Sequence, residues 1–221
     1  MSQKKEKTPK WYEPLDSPEE AHFEWWMMEL SELGYIDSYV RAKTYHLVDS
    51  IAQPYLHERV SIRTREPLSP QRKKKTLRSK LKYTPDFEIT WNIKALGIFF
   101  VEHDVPTLMN GPVDHHMLAH FIDGDLKSIV EVKPKVFGRS PMNVSRLAVA
   151  RMNSMYLYDK MGIYTNLVEI GTTLKSLFDQ TFTPAKYLLT DLTGKPRAIK
   201  FQPRTADEFL EKTEKLKYII A

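Results

Sequence analysis

The spacing of hydrophobic positions switches between helical and alternating along this chain, and each switch marks an element. Phe23, Trp26, Met27, Leu30 and Leu33 recur every three or four positions, the stripe of an amphipathic helix. Ser17 stands as N-cap, Pro18 takes the first helical position, Glu20 completes a capping box, and Gly34 is placed to end the helix. Residues 35–65 turn strand-like, with "TYHLVDSI" and "ERVSIRT" rich in β-branched and aromatic side chains. "EPLSPQRKKKTLRSK" reads as a long hairpin tip or loop, too polar to pack. "YTPDFEITW" and "LGIFFVE" are strands, the first with Pro85 near its start because proline cannot donate to a ladder.

Residues 103–125 mix turn signals with a short helix in "DHHMLAHFI" and read as an insertion. "LKSIVEVKPKV" returns to strand. "NVSRLAVARMNSMYLYDKMG" is a helix with Asn143 as its cap and Gly162 as its stop, followed by a buried strand "IYTNLVEI". The remainder reads as a helix around "TLKSLFDQTF", a hairpin "KYLLTDLTGKPRAIKF" and a last helix opened by a second capping box, Thr205 to Glu208. A helix that links two strands in this way lies on a sheet as a crossover, so the class is α/β. The expected organisation is a flexible tail over 1–16, a core over 17–170 with a basic loop 66–82 and the insertion 103–125, and a C-terminal α+β appendage over 171–221.

Length and composition change this picture little. The chain has 221 residues, 42% hydrophobic and 11% aromatic, which suffices for a sizeable core. It has no apolar run of about 18 residues, so no membrane span is expected. The charged opening "MSQKKEKTPK" lacks the apolar centre of an export signal, and there is no cysteine, which fits a cytoplasmic, reducing location. Charge is more telling. Lys and Arg number 33 against 28 Asp and Glu, and "RKKKTLRSKLK" over 72–82 concentrates seven cations with no acid.

The chemistry gathers on two strands. Alternation sends Glu131 and Lys133 to one face of "SIVEVKPK" and Val130 and Val132 to the other; in "TPDFEIT" it sends Asp86 and Glu88 one way and Phe87 and Ile89 the other. If the strands pair, Asp86 and Glu131 converge, and two carboxylates together repel unless a cation joins them. Mg2+ binds through one or two carboxylates and keeps several waters, which suits this inventory better than a zinc site. Lys133 beside the pair is placed to orient a water or stabilise charge on phosphorus, so the set suits phosphodiester hydrolysis.

"TPDFEI" followed by "VEVKPK" resembles the motif of the PD-(D/E)XK nucleases, with Pro85 and Asp86 as the PD element and Glu131, Val132 and Lys133 as the E-x-K element. The likeness is nearest to phage junction-resolving and small phage endonucleases, which open with a serine-x-x-glutamate helix, and it covers roughly residues 17–170. It implies a restriction-endonuclease-like core of helix, mixed sheet and crossover helix. It also implies a Mg2+-dependent DNA endonuclease, with Mn2+ as substitute, in a bacterial cell or phage-infected host. Asp86, Glu131 and the Val132 carbonyl would hold the metal, Lys133 would position the attacking water, and Glu20 would be the helix-borne acid, with Glu24 as its rival. The chain departs from compact members in the insertion between the two motif elements. A junction resolver cuts as a dimer, so a homodimer is implied too.

Other readings stand beside these. Arg72, Lys73, Lys74, Lys75, Arg78, Lys80 and Lys82 are either a solvated tip or the grip on a DNA backbone, extended by Lys135, Arg139, Arg146 and Arg151. His116 and His120 could share a helix face with Asp114 nearby, but a surface helix explains them without a second metal. Trp25 and Trp26 read as core or an oligomer contact. The competing function is a DNA-binding or assembly protein on a nuclease scaffold, a partner in transposition or replication. The C-terminal module could recruit a protein partner.

Overall fold

The computed structural model describes residues 11–103, 117–135, 141–171, 176–189 and 196–220, without side chains at 141–143 and 214–220. The chain divides into two compact units, Thr44–Thr84 and the remainder. The larger unit contains helix α1 (Pro18–Glu32) and strand β1 (Ile36–Arg41); the smaller follows with β2 (Tyr45–Val48), β3 (Ile51–Val60), β4 (Pro67–Arg78) and β5 (Leu81–Tyr83). The larger unit then resumes with β6 (Phe87–Trp91), a 3-10 turn (Ile93–Ala95), β7 (Phe100–Glu102), β8 (Met117–Ile122) and β9 (Asp125–Pro134). It ends with α2 (Pro141–Met161), β10 (Thr165–Ile170), α3 (Leu177–Gln180), α4 (Ala185–Leu189) and α5 (Ala206–Ile220). The class is α/β with a mixed sheet. Among the described residues no helix is long and apolar enough to cross a membrane.

The first helix forms as its caps dictate. Ser17 Oγ accepts the Glu20 N–H at 3.2 Å and donates to Glu20 Oε1 at 2.9 Å, closing the capping box behind Pro18. At the other end Gly34 takes φ 76°, and the Tyr35 N–H reaches back to the Leu30 carbonyl at 2.9 Å, the Schellman arrangement that glycine permits. Phe23, Trp26, Met27 and Leu30 are essentially fully buried, each worth about 1.5–3 kcal/mol of apolar transfer. Leu33, expected in this stripe, is instead exposed, because it sits at the C-cap where the chain leaves the core. Trp25 and His22 are buried as well, since C-terminal residues cover that side: the His22 and Tyr187 rings meet edge-on and Arg197 bonds His22 Nε2 at 2.8 Å.

Strand β9 is the hub of the sheet. Antiparallel β6 lies along one edge, with Phe87 opposite Val130 and Thr90 opposite Lys127, and β1 continues the sheet beyond β6. Along the other edge β8 pairs with the first residues of β9, and parallel β10 takes over from Ile129 to Pro134. Asn166 of β10 makes that handover possible. Its buried amide accepts the Leu118 N–H at 2.8 Å and donates to the Leu118 and Ile129 carbonyls at 2.9 and 3.1 Å, standing in for a strand backbone. Helix α2 connects β9 to the parallel β10, the expected crossover. Gly171, just past β10, has no room for a side chain: a Cβ there would lie 2.5 Å from Lys135 Cβ.

Several expectations change. Met117–Ile122 is a strand of the main sheet, not part of a surface helix; Met117, Ala119 and His120 are buried, and His120 Nε2 accepts the Tyr164 N–H at 2.9 Å. Residues 104–116, with Asp114, His115 and His116, lie outside the described residues. "KYLLTDLTGKPRAIKF" forms no hairpin among its described residues; Tyr187 sits in the short α4, packed on Phe178 and His22. Helix α2 begins at Pro141, two residues before the expected cap, and Gly162 ends it at φ 69°. Phe178, Phe182, Tyr187, Phe201 and Phe209 share one buried cluster with α1 and the sheet, so described residues of 171–221 pack into the core unit. The second capping box stands as read, with Glu208 N–H to Thr205 Oγ1 at 3.2 Å.

In the smaller unit, β2 pairs with β5, and β3 pairs with β4 as an antiparallel ribbon. The polar stretch expected as a loop is thus a strand of twelve residues, exposed along its whole length. Pairing with β3 supplies its hydrogen bonds; a buried face does not.

Candidate active site

The alternation read from the two motif strands is the alternation observed. Phe87, Ile89, Val130 and Val132 enter the α1 core cluster, which leaves Asp86, Glu131 and Lys133 on the opposite side. Asp86 lies immediately before β6 and is held by its own backbone, its N–H donating to the Val130 carbonyl at 2.9 Å and its carbonyl accepting from Ala42 at 3.3 Å. Pro85, with no N–H to offer, occupies a position outside the ladder.

One ammonium sits among three oxygens. Lys133 Nζ lies 2.5 Å from Glu131 Oε1, 3.1 Å from the Val132 carbonyl and 4.0 Å from Asp86 Oδ2. Asp86 Oδ2 also accepts the Val132 N–H at 2.7 Å, which fixes the carboxylate against β9. Both carboxyls are largely buried. The site is nonetheless short of positive charge: burial first, then the Glu131 charge, pushes Asp86 up to about 7, against the pull of the Val132 N–H and of Lys133. Glu20 adds a smaller push in the same direction.

Glu20 is buried and committed to local partners. Arg41 Nη1 lies 2.6 Å from its Oε2, and the Asp16 N–H donates to the same oxygen. Arg41 also reaches Asp16 at 3.1 Å and feels the charge of Asp86, and its guanidinium lies over the Phe87 ring. A lone arginine at a strand end carries no sequence signal, so sequence reasoning misses Arg41; only the helix donating Glu20 gives it a role. Glu24, the alternative acid, acts on Tyr39 instead, whose pKa its charge raises after burial.

The remaining candidates separate. Lys135 forms an ion pair with Glu169 of β10. Arg72, Lys73, Lys74, Lys75 and Arg78 lie on β4, Lys80 follows it, and Lys82 is on β5, all in the smaller unit. Arg146 and Arg151 are exposed on α2, and Arg139 lies outside the described residues.

The donor set suits a hard cation. Among the described residues no three His, Cys, Asp or Glu side chains form a cage. Two carboxylates and a carbonyl, here gathered around the Lys133 ammonium, are all-oxygen donors of the kind Mg2+ takes, without the His and Cys ligands that zinc sites favour. Burial and the Glu131 charge disfavour the ionised form of Asp86, an arrangement that costs stability. Comparison with family models, curated proteins and solved structures returned no match.

Proposed function

We propose that the chain is a metal-dependent deoxyribonuclease of the PD-(D/E)XK kind, built on a restriction-endonuclease-like core. One observation carries this reading: the Lys133 ammonium lies among the Asp86 carboxylate, the Glu131 carboxylate and the Val132 carbonyl, so the three oxygen donors of the two motif strands converge on one positive charge. The order of α1, three antiparallel strands (β1, β6 and β9), crossover helix α2 and parallel β10 supports it.

Asp86, Glu131 and the Val132 carbonyl would hold Mg2+ or Mn2+, which supplies an acidified water and offsets phosphate charge. The chain's own residues do the positioning. The Val132 N–H keeps Asp86 turned toward Glu131. Lys133, with three donors on a flexible stem, exchanges its present oxygens for a water or a phosphate oxygen and stabilises the charge that develops there. Arg41 holds Glu20 at the border of the site and keeps a second positive charge near it.

The test is incubation of the purified chain with linear duplex, single-stranded and four-way-junction DNA, with Mg2+, Mn2+ or chelator. Metal-dependent cleavage that disappears in Asp86→Asn supports the proposal. Cleavage that survives chelation, or persists in Asp86→Asn, refutes it. Binding without cleavage under all conditions favours the scaffold reading, a DNA-binding or assembly protein. Preference for the junction, with a dimer by light scattering on DNA, would assign the junction-resolving subclass.

A further inference from the structure

The β3–β4 ribbon is exposed on both faces over its whole length, which a two-stranded hairpin in water does not sustain cheaply. Its register sorts its side chains. Residues directly opposite share a face, so Gln53 with Lys75, Tyr55 with Lys73, and His57 with Gln71 line one side. Ala52 with Thr76, Pro54 with Lys74, and Leu56 with Arg72 line the other. All six side chains of the first face can donate a hydrogen bond, and none is a carboxylate. The second face pairs small or apolar residues of β3 with Thr76 and two cations of β4.

Charge names the occupant. Thr44–Thr84 contains ten Lys and Arg against three Asp and Glu, a formal +7; the whole chain is +5, so the rest sums to −2. A strand run holding Arg72, Lys73, Lys74 and Lys75 places cations on both faces, so the ribbon is positively charged all round and attracts a phosphate backbone. The major groove of B-form DNA, about 12 Å wide, admits a two-stranded ribbon, whereas the deep, narrow major groove of an RNA helix does not. Glutamine pairs with adenine edges and lysine with guanine edges there.

We infer that the Gln53, Tyr55, His57, Gln71, Lys73 and Lys75 face of the ribbon enters the major groove of duplex DNA and reads base edges. Recognition is therefore sequence-dependent. The inference rests on the reading that DNA is the substrate, and adds that the substrate is a duplex chosen by sequence.

The test is selection of a random duplex pool by the full chain in chelator, so that no cleavage intervenes. The expected result is enrichment of a motif, bound roughly ten-fold or more tighter than scrambled duplex. Gln53→Ala with Gln71→Ala should abolish most of that discrimination. The opposite-face change Leu56→Ser should leave it intact. Replacing purines of the motif by 7-deazapurines, which lack the major-groove N7, should weaken binding of the wild-type chain. The inference is overturned by absence of enrichment, by enrichment unchanged in the double variant, or by competition from a minor-groove ligand together with indifference to 7-deazapurines. Enriched binding without any metal-dependent cleavage would instead remove the nuclease reading and leave the ribbon's role standing.

Discussion

The acidic cluster at the start of β6 and the cationic ribbon of β3 and β4 show opposite uses of charge. In the cluster, Asp86 and Glu131 are largely buried and close together; burial first, then the Glu131 charge, raises the pKa of Asp86, and added salt reaches the pair weakly. In the ribbon the cations are exposed and contribute little to folding; on the proposed reading they act only when DNA arrives, under full screening by salt. A buried charge can do chemistry because it is uncomfortable. An exposed one recruits because it is free.

The sharpest way to break this contrast is substitution at each end. Asp86→Asn should remove cleavage altogether, and Lys133→Ala should lower its rate by roughly 10²–10³-fold, measured as single-turnover nicking, while duplex affinity changes little. Asp86→Asn should cost no stability, since an amide oxygen still accepts the Val132 N–H and the repulsion with Glu131 is gone. The ribbon should behave conversely. Lys73, Lys74 and Lys75 changed together to Gln should weaken DNA binding and flatten its log-log salt dependence by about 0.9 for each phosphate no longer neutralised, read from titrations at several salt concentrations. The same triple variant should shift unfolding free energy by no more than about 0.5 kcal/mol, because its side chains are exposed.

Two further changes probe the scaffold that presents the acids. Asn166→Leu strips the buried partners of Leu118 and should destabilise by about 1–3 kcal/mol in denaturant unfolding. His22 tests acid sensitivity. Burial, then the charge of Arg197, lowers its pKa to about 3, so the unfolded chain binds the proton more readily than the folded one between about 6.5 and 3. Stability from this group is complete above about pH 6.5 and falls as pH drops through that window, by at most about 1.4 kcal/mol per pH unit. Unfolding followed against pH should show a shallower decline in His22→Gln.

What the chain's pattern revealed was local. The Ser17, Pro18 and Glu20 start of α1 needs no tertiary information, and the faces of 86–91 and 129–133 follow from a period of two once burial on one side is assumed. What it concealed was set by partners far away. Within the ribbon β3 falls in the stretch read as strand-like, but β4 has no buried face, so no apolar alternation announces it, and a run of lysines has low strand propensity until β3 pairs with it. Met117–Ile122 looked helical because the four-residue spacing of His116 and His120 invites it, yet β7 and β9 claim 117–122 as a strand. Tyr187 and Leu188 looked like a strand, and the packing of Tyr187 on His22 and Phe178 makes a helical turn instead. Arg41 stands in the same class: its partner Glu20 lies 21 residues earlier in the chain.

The most direct measurement is a crystal structure of the chain with Mn2+, read by anomalous scattering. The account predicts a peak at about 2.1 Å from carboxylate oxygens of both Asp86 and Glu131, with the Lys133 ammonium displaced from between them. A Mn2+ peak that avoids these two residues, in crystals where Lys133 keeps its place, would contradict it.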